Sequence, residues 1–254
     1  VPSFTFVATA NAIHYCGATP HFVECEAQSL GLDPAALDQY LDMTLTCRDG
    51  QFVNRHTDAP VRAIVPVHCY GHPVNMELLR GIVARYNLTL IEDAAESLGS
   101  FIGDHHTGRF GRAGVLSFNG NKTITTGGGG AIITDDELFA RRLRHLTTTA
   151  RAGDGTELIH DAVGFNYGVP NRNAALRCAQ LETRDAKLKS KQILAARDAD
   201  ALEGLEGVST VTHPKWGRSN YWLNAVLFET QQARNAAFSE LNEAGYQCRA
   251  VWTP

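Results

Sequence analysis

No run of Lys or Arg occurs in this sequence, and its 27 acidic residues outnumber its 23 basic ones, for a net charge of −4. Nucleic acid and anionic membranes are held by a positive field, so neither partner is indicated. No window comes near the roughly 18 consecutive apolar residues of a membrane span. No signal peptide is visible, because the opening VPSFTFVATANAIHY is apolar but has no basic leader. The six cysteines, at 16, 25, 47, 69, 178 and 248, form no C-x-x-C pair. Their spacing fits neither a zinc site nor a small disulfide scaffold, and they read as reduced thiols of a cytoplasmic protein. Internal repeats and low-complexity segments are absent as well. The chain opens at Val1 and stops at Pro254 without a start or stop signature, and both ends read as truncated.

What is present alternates between strand and helix. A helix is expected from Phe4 to Tyr15, closed by Gly17, then a short strand at His21–Cys25. Asp33-Pro34 is an N-cap and first position for a helix to about Leu41. The polar stretch from Thr44 to Pro60 reads as a loop. Val61–Val67 and Leu88–Glu92 are continuous apolar runs that suit strands covered on both faces, with a helix from Met76 to Tyr86 between them. Further strands are expected at Gly114–Phe118 and Ala131–Thr134. Thr134-Asp135-Asp136-Glu137 reads as a capping box for a helix to about Leu146. Asn171 to about Leu202 reads as one long helix. A strand at Tyr221–Phe228, a helix from Thr230 to Ala244 stopped by Gly245, and a strand at about 247–252 complete the chain. Strands separated by helices imply right-handed crossovers, a mostly parallel sheet with helices on both faces, and ligands at the carboxyl ends of the strands. The loops after Val67, Glu92 and Phe118 are therefore the places to look for chemistry.

The third loop runs SFNGNKTITTGGGG, with Lys122 four residues past a buried strand and four glycines after it. A partly buried Lys at a strand end can serve as an amine nucleophile. A solvated Lys beside a flexible loop fits the same letters. Neither G-x-G-x-x-G nor G-x-x-x-x-G-K-[ST] is matched, so no nucleotide-phosphate loop is indicated. The second loop, IEDAAESLG, ends a buried strand with Glu92 and Asp93. A carboxylate there either caps a following helix or faces the ligand crevice. A pyridine-type cofactor needs such a carboxylate to keep its ring nitrogen protonated. The acid at 93 and the amine at 122, 29 residues apart, are together the arrangement a pyridoxal site requires. His68 and His72 straddle Tyr70-Gly71, so no helix brings them together as metal ligands, and no metal is expected. His105-His106 reads as loop.

The segments PSFTFVATANAI, GATPHFVE, IVPVHCYGHPVNM, IEDAAESLGS, SFNGNKTITTGGGGAIITDD and GFNYGVPNRNAA, in that order, resemble the DegT/DnrJ/EryC1/StrS sugar aminotransferases, within them most nearly those that make 4-amino sugars for legionaminic-acid-like nonulosonates. The resemblance covers almost the whole chain. It implies the fold type I architecture of pyridoxal-phosphate transferases: a large cofactor-binding domain at 1–165, a dimer-side loop and connecting helix at 166–205, and part of a smaller C-terminal α/β domain at 206–254. It implies pyridoxal 5'-phosphate as cofactor, an amino donor such as glutamate, a nucleotide-linked 4-keto deoxysugar as acceptor, and a homodimer with shared active sites. By the same resemblance Lys122 is the Schiff-base lysine and Asp93 pairs the pyridine nitrogen. Glu96 lies near the phenolic oxygen, Ser117 on the phosphate, and Phe6 on the ring face. Asn166 reaches the phosphate of the partner subunit's cofactor. From the residues alone, Phe6 also reads as core, Ser117 as a small strand residue and Asn166 as a turn former.

One departure stands out: Gly168-Val169-Pro170 replaces the Arg-containing segment usual after the Tyr of G-[YF]-N-Y. It leaves open a catalytically impaired or cofactor-free relative as the alternative reading. A pyridoxamine-dependent dehydratase of the same scaffold would carry His where Lys122 stands, and a nicotinamide dehydrogenase would need a glycine fingerprint after its first strand.

Overall fold

The computed structural model describes residues 1–153 and 159–252. Helix α1 (Val7–Tyr15) starts one turn later than its apolar letters suggest, with Phe6 as an extended N-cap. Gly17, at φ +73°, follows its end. The expected strand at His21–Cys25 is reduced to single bridges, Val23 to Pro2 and Cys25 to Leu32. Helix α2 (Pro34–Thr44) begins as expected, the Asp33 carboxylate accepting from Ala35 N–H ahead of Pro34.

The polar stretch after α2 is a hairpin instead of a loop. Strands β1 (Leu45–Arg48) and β2 (Gln51–Asn54) pair antiparallel in register Leu45 to Asn54. Asp49 and Gly50 between them both take positive φ, 50° and 77°. Asp-Gly in a two-residue connection makes the primed turn whose twist matches the flanking strands, and that signal outweighs the polarity of the segment.

A four-stranded sheet follows the hairpin in the chain. Its strands are β3 (Ala63–Ile64), β4 (Thr89–Asp93), β7 (Ala113–Ser117) and β8 (Gly130–Ile133), in that spatial order. β3, β4 and β7 run parallel, and β8 returns antiparallel to β7. The Val61–Val67 run contributes only the two-residue β3 and a further bridge from Val67 to Asp93. Between β3 and β4 lies α3 (Met76–Arg85), and between β4 and β7 the short hairpin β5 (Phe101–Ile102) and β6 (His105–His106), so the His105-His106 pair is strand and not loop. Leu37 and Leu41 of α2 and Leu79 and Ile82 of α3 bury against Ile64 and Leu90, forming the larger core. A smaller core of Ala94, Leu116, Phe118 and Ile124 sits directly under the loops of interest.

Helix α4 (Glu137–Thr147) is capped by Asp136, whose carboxylate accepts from Phe139 N–H. Thr134, read from the sequence as the capping residue, lies two positions earlier and accepts Asp136 N–H on its hydroxyl. Strands β9 (Arg151–Ala152) and β10 (Ile159–His160) form a small ladder. The expected long helix is two: α5 (Asn171–Glu182) and α6 (Arg184–Leu202), interrupted at Thr183. Thr183 is β-branched, its hydroxyl donates to Gln180 O at 3.2 Å, and a side chain that bonds its own backbone competes with helix continuation. The last elements are β11 (Val208–Thr210), paired antiparallel with β12 (Val226–Phe228), and α7 (Gln231–Glu243), capped by Thr230. Only the last three residues of the expected Tyr221–Phe228 strand pair, because Tyr221 takes a left-handed φ of 49°. The expected strand at 247–252 finds no partner among the described residues. Cys248 N–H goes to the Asn242 side chain, and Trp252 packs on Phe4, Phe6 and Tyr70. No helix among the described residues is long and apolar enough to cross a membrane.

Candidate active site

Strand period decides which acid of the Glu92-Asp93 pair reaches the crevice, since neighbours in a strand point to opposite faces. Glu92 is fully buried. Its carboxylate accepts from His68 Nε2 and from the N–H groups of Gly108, Phe110 and Gly111 at 2.6 to 3.1 Å. Burial raises its pKa, but the His68 bond and the backbone donors win, so it sits below its ordinary value. Its acceptor capacity is spent on His68 and on the loop 108–111, and it has a structural role. His68 Nδ1 accepts Val74 N–H, which leaves Nε2 as the donor to Glu92. His72 is fully buried, and neither ring nitrogen has a hydrogen-bond partner among the described residues. The two histidines thus have separate surroundings, and no group of three or more metal-ligating side chains occurs among the described residues.

Asp93, the last residue of β4, is partly exposed at the carboxyl end of the sheet. Its Oδ2 accepts the Thr9 hydroxyl at 2.6 Å and its Oδ1 accepts Ala95 N–H at 3.1 Å. Residues 94–100 form turns and no helix, so Asp93 caps no helix. A carboxylate can accept about four hydrogen bonds, so two here leave room for a ligand N–H. Thr9 also ties α1 to this strand end and brings Phe6 along, because Phe6 O accepts Thr9 N–H one turn earlier. Phe6 is 52% exposed, which removes the reading of it as core. Its ring lies 5.9 Å from that of Trp252.

Lys122 comes from the turn after the neighbouring strand, β7. Ser117 ends that strand and accepts Asn119 N–H on its hydroxyl, and Asn119 O accepts Lys122 N–H. Lys122 is a poorly solvated amine, its side chain only 13% exposed. Its Nζ stands 3.4 Å from Glu96 Oε1 and 3.7 Å above the centre of the Trp222 ring. Glu96 is buried, with its other oxygen accepting Tyr70 N–H at 2.8 Å. Burial lifts the Glu96 carboxyl above its usual range. Lys122 and the Tyr70 N–H pull it down, and the Asp93 charge adds to the rise. Tyr70 and Cys69, buried beside it, are also pushed up, first by desolvation and then by the Glu96 charge.

The structure therefore brings Lys122, Asp93, Glu96, Ser117 and Phe6 to one end of the sheet. Asn166 stands apart: it is exposed, and its backbone pairs with Thr148. The segment Gly168–Pro170 leads into α5, and Asn173 of that helix donates to Thr126 O in the loop carrying Lys122, at 2.5 Å. Two residues of the site lie outside the sequence reading. Thr9 carried no distinct signal, since Asn11 and His14 are polar residues of the same helix. Trp222 carried none, because 100 residues separate it from Lys122 and only the fold joins them.

The residues present fit a pyridine-aldehyde phosphate. A primary amine in the turn after β7 and a carboxylate with spare acceptor capacity at the end of the adjacent parallel strand share one end of the sheet, Thr9 ties the exposed Phe6 to that end, and Thr123, the residue after Lys122, has a buried hydroxyl with no hydrogen-bond partner among the described residues. A mostly parallel sheet, a helical crossover between β3 and β4, and this site at the strands' carboxyl ends fit the fold type I class of pyridoxal-phosphate enzymes. The DegT/DnrJ/EryC1/StrS aminotransferase family model matches residues 1–254, and the chain belongs to that family. Among similar proteins, "Putative pyridoxal phosphate-dependent aminotransferase EpsN" of Bacillus subtilis strain 168 is 34% identical over 252 residues, 99% of this chain and 62% of that one. A GDP-perosamine synthase of Escherichia coli O157:H7 is 32% identical over 254 residues, 100% of this chain and 65% of that one. Among solved structures, a DegT DnrJ EryC1 StrS aminotransferase from Brucella abortus superposes with a TM-score of 0.85 at 26% identity, over 96% of this chain and 61% of that one. The chain thus spans less than two thirds of the length of these curated relatives.

Proposed function

We propose that the protein is a pyridoxal-phosphate-dependent aminotransferase that moves an amino group, from a donor such as glutamate, onto a keto group of a nucleotide-linked deoxysugar. The observation that carries this reading is the Lys122 amine seated beside Glu96, one strand away from the Asp93 carboxylate that Thr9 holds. Family membership supports the transfer chemistry. The sugar-nucleotide acceptor is supported by the GDP-perosamine synthases and by DesI, solved in the presence of its TDP-sugar product and 27% identical to this chain with a TM-score of 0.83.

Bound, the cofactor supplies an aldehyde to carry the amino group and a ring that takes up the electron pair of the reacting carbon. The rest falls to the chain. Lys122 anchors the cofactor through Nζ, and once released takes a proton from the donor carbon and returns one, acting as both base and acid. Asp93 holds a proton on the ring nitrogen, and Thr9 fixes the Asp93 carboxylate for that contact. Glu96 faces the amine and its ring-side neighbours, Ser117 serves the phosphate, and Phe6 covers one face of the ring. For Asn166 the role is the cofactor phosphate of the partner subunit in a homodimer, a reading supported by its exposure and its distance in the fold from this cluster. We place the reaction in the cytoplasm, where sugar nucleotides are made.

The test is turnover with glutamate and a panel of nucleotide-linked 4-keto sugars, followed by mass spectrometry. An amino sugar and 2-oxoglutarate in equal amounts are expected with at least one acceptor. Cofactor uptake without amine transfer to any acceptor would contradict the sugar assignment.

A further inference from the structure

The lysine of this site rests on an aromatic face delivered from the far end of the chain. Lys122 Nζ lies 3.7 Å above the centre of the Trp222 ring, with Glu96 Oε1 3.4 Å away. Trp222 is 5% exposed and has little freedom. Its indole N–H donates to Asn121 O at 2.8 Å, its backbone N–H to Asn220 Oδ1 at 2.8 Å, and its carbonyl accepts Lys191 Nζ at 3.0 Å.

Asn220 is the fastener. It is fully buried, and its side-chain amide donates to Glu96 O and Leu98 O at 2.8 and 2.9 Å. Its own N–H donates to Ser100 Oγ, which in turn donates to Gly71 O at 2.6 Å. Asn220 thus grips the loop carrying Glu96 with its side chain and, through its backbone N–H on Ser100, the loop after β3. Between Asn220 and Trp222 stands Tyr221 at φ 49°, a left-handed conformation that costs a residue other than glycine roughly 1 kcal/mol or more and persists only where surroundings enforce it. A turn of that kind, followed by a buried indole under a charged amine, is unusual for core packing alone. A cation over an indole face is the strongest of the aromatic pairings.

We propose that Trp222 is a positioning residue for Lys122, its ring face seating the ammonium opposite Glu96, and that Asn220 sets the ring in place. This holds the amine at the strand ends before any ligand arrives. It also makes the site depend on the segment 219–222 as well as on the two loops that carry Lys122 and Asp93. The proposal rests on the reading of Lys122 as the cofactor lysine for its meaning, but not for its test.

The test compares Trp222→Phe with Trp222→Leu in the full chain without cofactor. Each variant is pulsed with a trace of an amine-acylating reagent, and modification of Lys122 is read by peptide mass spectrometry against the exposed Lys189 and Lys215. Loss of the ring face is expected to speed Lys122 labelling about five-fold in Trp222→Leu, whereas Trp222→Phe stays within about two-fold of the parent, in line with a cation–π contribution of roughly 1 kcal/mol. Labelling of Lys189 and Lys215 stays unchanged. If Trp222→Leu melts far below the parent, Trp222→Met carries the same comparison. Equal labelling in parent and Trp222→Leu, or equal acceleration in both variants, would overturn the positioning role. A parent chain that takes up no pyridoxal phosphate would instead overturn the proposed function and leave the labelling contrast standing.

Discussion

The Thr9 hydroxyl donates to Asp93 Oδ2 across 2.6 Å, joining the first helix to the end of a central strand. The bond crosses 84 residues of sequence and fixes one oxygen of the acid on which the proposed chemistry depends. Thr9→Val keeps the shape and removes the donor. A hydrogen bond of this kind is worth about 1 kcal/mol, so the pyridoxal-phosphate dissociation constant should rise about five-fold, with Thr9→Ser restoring it. Titration by visible absorbance reads the change. Equal affinity in parent and Thr9→Val would show that Asp93 needs no support from α1.

Asp93→Asn tests the acid itself. The amide fills the same space and can still accept from Thr9, but it cannot hold a proton on a ring nitrogen. Turnover should fall at least about a hundredfold, as expected for loss of a main electrostatic stabiliser, while the melting temperature moves little. A variant with near-parental turnover would remove Asp93 from the mechanism.

Glu92 and Asp93 are adjacent acids with opposite surroundings, and the contrast is measurable. Four donors converge on the Glu92 carboxylate. Glu92→Ala would leave buried N–H groups unmet at about 1 to 3 kcal/mol each, enough to unfold much of a marginally stable chain. Denaturant melts should show a loss of several kcal/mol for Glu92→Ala, with a far smaller loss for Asp93→Ala.

His72 contributes a pH dependence with a definite sign. Burial, and secondarily the nearby His213, lower its pKa from 6.5 to about 4. The folded state therefore keeps it neutral while the unfolded state binds a proton, so stability is lost as pH falls from about 6.5 toward 4. The shift corresponds to at most about 3 kcal/mol. His72→Leu breaks no hydrogen bond among the described residues and should flatten this acid limb. Melts at pH 7 and pH 5 decide it, and an unchanged difference between them would assign the acid loss to other groups.

How far the letters reached follows from the range of the forces involved. Asp33, Thr230 and Gly245 act on their own neighbours, and their helix boundaries were legible. So were Asp93 at the end of one strand and Lys122 in the loop just past another, because apolar runs mark strands buried on both faces. The β1–β2 hairpin was legible too, in Asp49-Gly50, but the polarity of the segment masked it. The break at Thr183 depends on one side chain turning back on its own helix, which composition averages away. Thr9 on Asp93 and Trp222 under Lys122 are contacts across 84 and 100 residues, and nothing local announces them.

The most direct measurement is to load the protein with pyridoxal phosphate, fix it with borohydride, and map the modified peptide by mass spectrometry. The adduct is expected on Lys122 alone, and Lys122→Ala should abolish both the adduct and the visible absorbance. An adduct on any other lysine, or none on a folded chain at saturating cofactor, would contradict the assignment of this site.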